Sequence, residues 1–287
     1  MAKKRKEPQE PVPSRVSDLL RVPSTGAHLH HAPTRVTPGF TGSKADAAAA
    51  LPAMAARLSD LQEQLFAERR RSLLLVLQGM DTAGKGGTVR HVVGLMDPNG
   101  LKVAHFGVPN REELRHDFLW RVRRELPGPG QVGVFDRSHY EDVVTARVIR
   151  SVEKRTWSRR FASINRFEAQ LAEHGTRVVK VYLHISPEES RERLLARLDD
   201  PTKYWKFDPS DLVTRERWEE YLTAYEDALT RCSTDLAPWF VVPADRKWYR
   251  YWAVTQLLIE QLEEMGLDWP APTYDVEEQR TRLLAMP

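Results

Sequence analysis

Leu51, Met54, Leu58, Leu61 and Leu65 recur at spacings of three, four, three and four residues, the period of one face of an α-helix. Arg57, Asp60, Glu63, Glu68 and Arg69 fall between them, so this helix is expected to pack rather than to carry chemistry. Pro52 suits its first turn or a kink close to it. The pattern then changes to a short continuous apolar run at 72–77 and similar, mostly apolar candidates at 102–106, 132–135, 178–185 and 240–242. Runs without alternation predict strands covered on both faces. Between them, Phe161, Ile164, Phe167 and Leu171 share a helix face that closes at Gly175, a residue suited to a helix C-terminus. Trp218, Tyr221, Tyr225 and Leu229 repeat the spacing, and aromatic residues so placed are expected in the core. Strand and helix alternating in this way predict an α/β fold with a mostly parallel sheet.

Residues 1–43 read differently. Six prolines and few apolar residues predict an extended or disordered arm, with too little to bury to repay its ordering entropy. Its basic run, Lys3 to Lys6, is read as a solvated tail, and nucleic acid is not an expected partner. His28, His30 and His31 have no acid or cysteine at ligand spacing and are read as loop residues. The net charge of +3 permits an anionic partner without naming one. No apolar stretch approaches the ~20 residues of a membrane span, and no apolar run follows the charged start, so neither a membrane protein nor a secretory signal is expected. Cys232 is the single cysteine, which excludes an internal disulfide and suits a reducing cytoplasm.

The candidate chemistry begins where the first apolar run ends. Gly79, four residues, then Gly84-Lys85 is the spacing of a phosphate-binding P-loop. It lies after a strand and before a helical stretch (Val89, Val92, Val93, Met96), the context in which backbone N–H groups, a lysine charge and a helix N-terminus converge on phosphate. Gly79, Thr82, Ala83, Gly84, Gly86 and Gly87 are the expected phosphate cradle, with Lys85 as its point charge. Gly86 stands where a P-loop normally supplies the Mg²⁺-binding hydroxyl. Asp81, a carboxylate among phosphate-binding amides, therefore points to a bridging cation.

A second carboxylate, Asp136, ends the third apolar run. In a parallel sheet that end shares an edge with the P-loop, so Asp81 and Asp136 are the expected metal ligands, although an Asp in this position also caps helices. Arg137 follows within reach of a phosphate. Glu141 and Asp142 would support the metal or cap the next turn. Further on, Arg193 and Arg197 emerge on one helix face, with Lys203 and Lys206 behind them. Such a segment is a solvated charged helix or a cationic lid of the kind phosphoryl transfer uses, and the P-loop favours the lid.

Together these residues resemble the polyphosphate kinase 2 family, from about Arg35 to Met265. The marks are Thr37-Pro38-Gly39-Phe40, the run 79–87, Glu113 to Arg121, Phe135 to Val143, Tyr204-Trp205-Lys206-Phe207, Ala237-Pro238-Trp239 and Pro243 to Tyr249. The resemblance implies a three-layer, thymidylate-kinase-like P-loop core over 44–287 with a helical lid at about 187–210. It also implies Mg²⁺-dependent, reversible phosphoryl transfer from inorganic polyphosphate to AMP or ADP, with Mn²⁺ as an alternative metal. By matching positions, Asp81 and Asp136 orient the metal, and Lys85 holds the phosphate in transit. Arg193 and Arg197 act from the lid, Arg137 and Lys206 touch polyphosphate, and Asp117 and Arg121 lie on the nucleotide side. A homodimer or homotetramer is expected. Ser138 to Val143, with Arg147 following, resembles the branch that accepts both mono- and diphosphates. The competing reading is an ATP-dependent nucleoside monophosphate kinase.

Overall fold

The computed structural model describes residues 15–287. Each of the five apolar runs is a strand: β1 (Ser72–Gly79), β2 (Leu101–His105), β3 (Val132–Asp136), β4 (Thr176–His184) and β5 (Trp239–Pro243). They form one sheet in the order β2-β3-β1-β4-β5, with every pairing parallel. β1 is central and buried along its whole length, which is why its sequence shows no alternation. The register sets Leu77 beside Asp136 and Gly79 beside Leu183. The chain therefore leaves β1 and β3 at the same edge, where parallel sheets bind their ligands.

The helices are α1 (Val16–Leu20), α2 (Lys44–Glu68), α3 (Lys85–His91), α4 (Trp120–Arg124), α5 (Thr145–Val148), α6 (Lys154–Glu173), α7 (Pro187–Leu198), α8 (Ser210–Glu216), α9 (Trp218–Cys232), α10 (Lys247–Glu264) and α11 (Val276–Leu284). α2 packs on α10, and α6 packs on β4 and α9. α2 begins with a reciprocal cap in which Ser43 and Asp46 each accept from the other's backbone N–H. Leu58, Leu61 and Leu65 are its buried stripe. Pro52 lies eight residues after Lys44 on an exposed position, and the helix runs through it, not in the first turn as expected. No helix among the described residues is long and apolar enough to cross a membrane.

The expected arm over 1–43 is corrected from Arg15 onward. Val16, Leu20, Val22, Ala27 and Leu29 are all buried in the common core. Arg21 bridges antiparallel to Phe240, and Val22 N–H donates to Trp239 O at 2.8 Å, so the segment covers the open edge of β5. The segment has few apolar residues, but most of them find a site. Residues 1–14, including Lys3 to Lys6, lie outside the described residues.

The segment is pinned by a carboxylate. Glu260 on α10 accepts the N–H groups of Val16 at 3.1 Å and Ser17 at 2.8 Å, which are orphan donors at the start of α1. Burial works to raise the pKa of Glu260, but the bonds from Ser17, Gln256 and Val16 prevail and hold it below the usual glutamate value. Its folded-state pKa being depressed, the stabilisation is present at neutral pH and is lost as pH falls through the folded value. Glu260→Gln is expected to cost about 1 to 2 kcal/mol at neutral pH. That deficit shrinks as pH falls below the usual glutamate range, as urea titrations at neutral and at acidic pH would read.

Candidate active site

The loop after β1 is shaped by what surrounds it. Gly79 has φ +153°, and a Cβ there would lie 2.7 Å from Leu183 O. Gly84 has φ +105°, and a Cβ there would strike the Arg250 guanidinium at 2.2 Å. Thr82 is held in the left-handed region at φ 68° without being glycine, a costly conformation of the kind that clusters at functional sites. The backbone N–H groups of residues 84–87 have no internal acceptor among the described residues. Four adjacent unpaired donors form a concavity for an anion. Ala83 leaves the expected cradle, because its N–H is used internally on Met80 O at 3.1 Å.

Lys85 folds back over this loop. Its Nζ donates to Gly79 O at 2.8 Å and to Met80 O at 3.4 Å. Burial pushes its pKa below the ordinary lysine value, Asp81 opposes that, Arg137 adds to it, and Asp136 and Glu141 oppose it more weakly. A Cβ on Gly86 would meet open space. Thr88, the nearest hydroxyl, donates to Gly84 O at 3.1 Å and stays tied to α3.

Asp136 ends β3 with Oδ1 buried and without a hydrogen-bond partner, while Oδ2 lies 3.6 Å from His105 Nδ1. An orphaned carboxylate oxygen at the phosphate-loop edge fits a divalent cation. Asp81 is committed in part, since its Oδ1 accepts from Arg137 at 3.1 Å. Among the described residues, no three His, Cys, Asp or Glu side chains converge on a closed metal cage. A Mg²⁺ site needs only one or two carboxylates when substrate phosphates and water complete the shell. The pair therefore fits the group.

Arg137, like Thr82, has positive φ, at 62°. Burial lowers its pKa, and Glu141 and Asp81 more than restore it. The turn that follows is anchored from below by a buried ionic network. Lys180 on β4 bonds Glu168, Tyr140 Oη and Cys232 O, and Glu168 also accepts from Tyr140 and meets His139. His139 and Tyr140 thus face inward, while Arg137 and Glu141 line the site. The residue types in 138–142 were legible as a motif, whereas Glu168 and Lys180, distant in sequence, gave no signal.

Two hollows flank the loop. One, of about 290 Å³, is lined by Asp81, Arg137, Glu141, Arg217, Tyr221 and Tyr225. Tyr221 and Tyr225 are core residues of α9 as expected, and they also wall this hollow, which helical spacing alone does not show. The other, of about 410 Å³, is a mainly basic groove with Arg193, Arg197, Lys203, Lys206 and Lys247 along it beside Thr82 and two acids, Glu189 and Glu192. Arg197 donates to Lys206 O and pairs with Asp211. The expected lid segment is helical over Pro187–Leu198 and continues as a 3₁₀ turn over Pro201–Lys206.

Arg193 is placed otherwise than a free lid cation. It pairs with Glu189 at 2.8 Å and donates to Thr82 O, Ala83 O, Ala244 O and Asp245 O, so the guanidinium fastens α7 and the turn between β5 and α10 to the phosphate loop. Lys206 lies in the groove. Arg137 faces the opposite hollow. Arg121 is buried in a third cavity of about 590 Å³ beside His105 and Phe106, bonded to Gly107 O and paired with Asp142. Asp117 is drawn into the turn before α4, where its carboxylate accepts Leu119 N–H at 3.0 Å and its side chain is 66% exposed.

A parallel sheet with a P-loop on its central strand and an Asp at the end of the neighbouring strand defines a P-loop phosphotransferase of the kinase type. The chain belongs to the polyphosphate kinase 2 family, whose model matches residues 41–269. It is 46% identical to the AMP/ADP-polyphosphate phosphotransferase of Meiothermus ruber, covering 82% of this chain and 88% of that protein. It is 42% identical to the ADP-polyphosphate phosphotransferase of Rhodopseudomonas palustris, covering 84% and 87%. The crystal structure of polyphosphate kinase 2 from Arthrobacter aurescens TC1 superposes with a TM-score of 0.93 at 48% identity, covering 96% of this chain and 98% of that one.

Proposed function

We propose that this chain transfers the terminal phosphoryl group of inorganic polyphosphate to AMP and to ADP, reversibly, giving ADP and ATP. One observation carries the reading: a groove with Arg197, Lys203, Lys206 and Lys247 along it runs to a loop whose backbone donors are unpaired. A long polyanion suits a row of cations better than a single triphosphate does. Mg²⁺, with Mn²⁺ as an alternative, is the cofactor of this reading. Asp136 and Asp81 would hold it, and when bound it neutralises phosphate charge.

The chain's own residues then do the following. The N–H groups of residues 84–87 and the Lys85 ammonium bind the phosphoryl group in transit and meet the charge that spreads over its oxygens. The groove holds the rest of the polyphosphate in line. Arg137, on the far side of the loop, meets the acceptor's phosphate, and Tyr221, Tyr225 and Arg217 narrow that hollow against water. Arg193 keeps the loop in shape, and Arg197 supplies lid charge. Arg121 stays as a nucleotide contact, and Asp117 is assigned to its turn. Positioning and charge neutralisation suffice, without a covalent intermediate. The same reading places the enzyme in the cytoplasm, which suits a lone buried Cys232, as a homodimer or homotetramer.

The test offers AMP or ADP in separate tubes with medium-chain polyphosphate and Mg²⁺, without ATP, and resolves products by ion exchange. ADP followed by ATP from AMP, and ATP from ADP, is the expected outcome. Product from ADP alone would narrow the acceptor. Turnover of AMP only when ATP replaces polyphosphate would overturn the donor.

A further inference from the structure

Arg250 lies on the first turn of α10 with 2% of its surface exposed. Its Nη1 donates to Ala83 O at 2.9 Å, and its guanidinium stacks 4.7 Å from the Tyr251 ring. Nε is buried without a partner. Among the described residues, no carboxylate lies within ion-pair distance of it, whereas Arg193, which grips the same loop, is paired with Glu189. Burial pulls its pKa down to about 10; Tyr251 opposes this, and the charge of Arg193 adds to it. The group is still charged at neutral pH, and a buried charge without a counter-ion is costly to the fold.

The loop is built around this cation. A Cβ on Gly84 would strike it at 2.2 Å, and one on Gly87 would sit 3.2 Å from Nη2. Gly84 and Gly87 thus leave open the space that the Arg250 guanidinium occupies against the loop. By holding Ala83 O, the guanidinium helps fix the peptides whose neighbouring N–H groups are unpaired.

We propose that Arg250 is a positioning residue of the phosphate loop, which it holds by the Ala83 carbonyl while lending it a positive charge that only a bound phosphate chain compensates. This rests on the polyphosphate reading above. Apart from Lys85, it makes a second buried cation responsible for affinity, and it explains why the fold keeps an ion that it does not neutralise.

The test uses the full chain, inorganic tripolyphosphate as the probe and no nucleotide. Calorimetry gives Kd, and thermal unfolding gives Tm with and without the probe. Arg250→Met is expected to bind tripolyphosphate about tenfold more weakly. Its Tm without ligand equals or exceeds that of the wild type, because an uncompensated charge has gone. Its ligand-induced rise in Tm is smaller. Arg250→Lys, which keeps charge and a donor, recovers most of the affinity. Affinity of Arg250→Met within twofold of the wild type overturns the inference alone. So does unfolding, or a large drop in ligand-free Tm, which would make Arg250 a structural residue. Absence of binding by the wild type overturns the polyphosphate reading and the inference with it.

Discussion

Lys85→Met lowers kcat for phosphoryl transfer by on the order of 10³ and leaves Tm within a few degrees. The two halves of this expectation have one cause. Two of the three ammonium donors are directed at Gly79 O and Met80 O, which leaves one for a ligand. In a buried site a charge acts on the transferring group with little screening. The same burial disfavours the charged form in the folded chain, as the lowered pKa records, so replacing it with a methionine of similar length removes a cost as well as two hydrogen bonds. The sign follows from linkage: a lysine whose folded pKa is depressed binds its proton more weakly in the folded state, so folding opposes its charge at neutral pH. The measurement is kcat and KM for polyphosphate beside a thermal melt. A fall of less than tenfold in kcat would remove Lys85 from the phosphoryl group in transit. A large loss of Tm would assign it to holding the loop instead.

What was legible in the sequence follows from distance along the chain. β1, β3 and β4 were visible because burial on both faces writes a nearly continuous apolar run, whereas β2, at the sheet edge and largely exposed, departs from the expected two-sided cover, and the P-loop was visible because its donors come from consecutive residues. Asp136 could be inferred because parallel pairing carries β1 and β3 to one edge. The hidden features depend on contacts between distant segments. Glu260 holding Val16 and Ser17 turns an apparent arm into a packed edge, and no local composition shows a partner 244 residues away. Arg193 shows helical spacing to Arg197, but not the carbonyls of Thr82 and Ala244 that occupy its guanidinium. Arg250 follows the run Pro243 to Tyr249 by one residue, and its meaning comes only from Gly84 lying against it. Asp117 shows a local use that the motif did not reveal: its Oδ1 accepts the Leu119 N–H in the turn before α4.

The second large effect separates the two acidic residues. Asp136→Asn is expected to lower kcat by about 10² to 10³, the rate equivalent of the several kcal/mol that a correctly held cation contributes. Asp81→Asn is expected to cost less. The difference lies in what each carboxylate already touches. Asp81 shares its charge with Arg137 at 3.1 Å, so part of its field is neutralised before any cation arrives. Removing that charge also frees Arg137. Among the described residues Asp136 has only His105 within ion-pair distance, at 3.6 Å, and an unpartnered Oδ1, so its negative charge is the less compensated of the two. Asparagine keeps the shape of the β3 terminus and its register with Leu77 and His105, so the ligand-free Tm stays near that of the wild type. A thermal shift with tripolyphosphate present gives a readout besides turnover. Mg²⁺ should raise Tm further in the wild type, less in Asp81→Asn, and least in Asp136→Asn. Equal Mg²⁺ shifts in all three proteins would remove both carboxylates from the metal. A larger loss in Asp81→Asn would reverse their ranking and make the loop carboxylate the principal ligand.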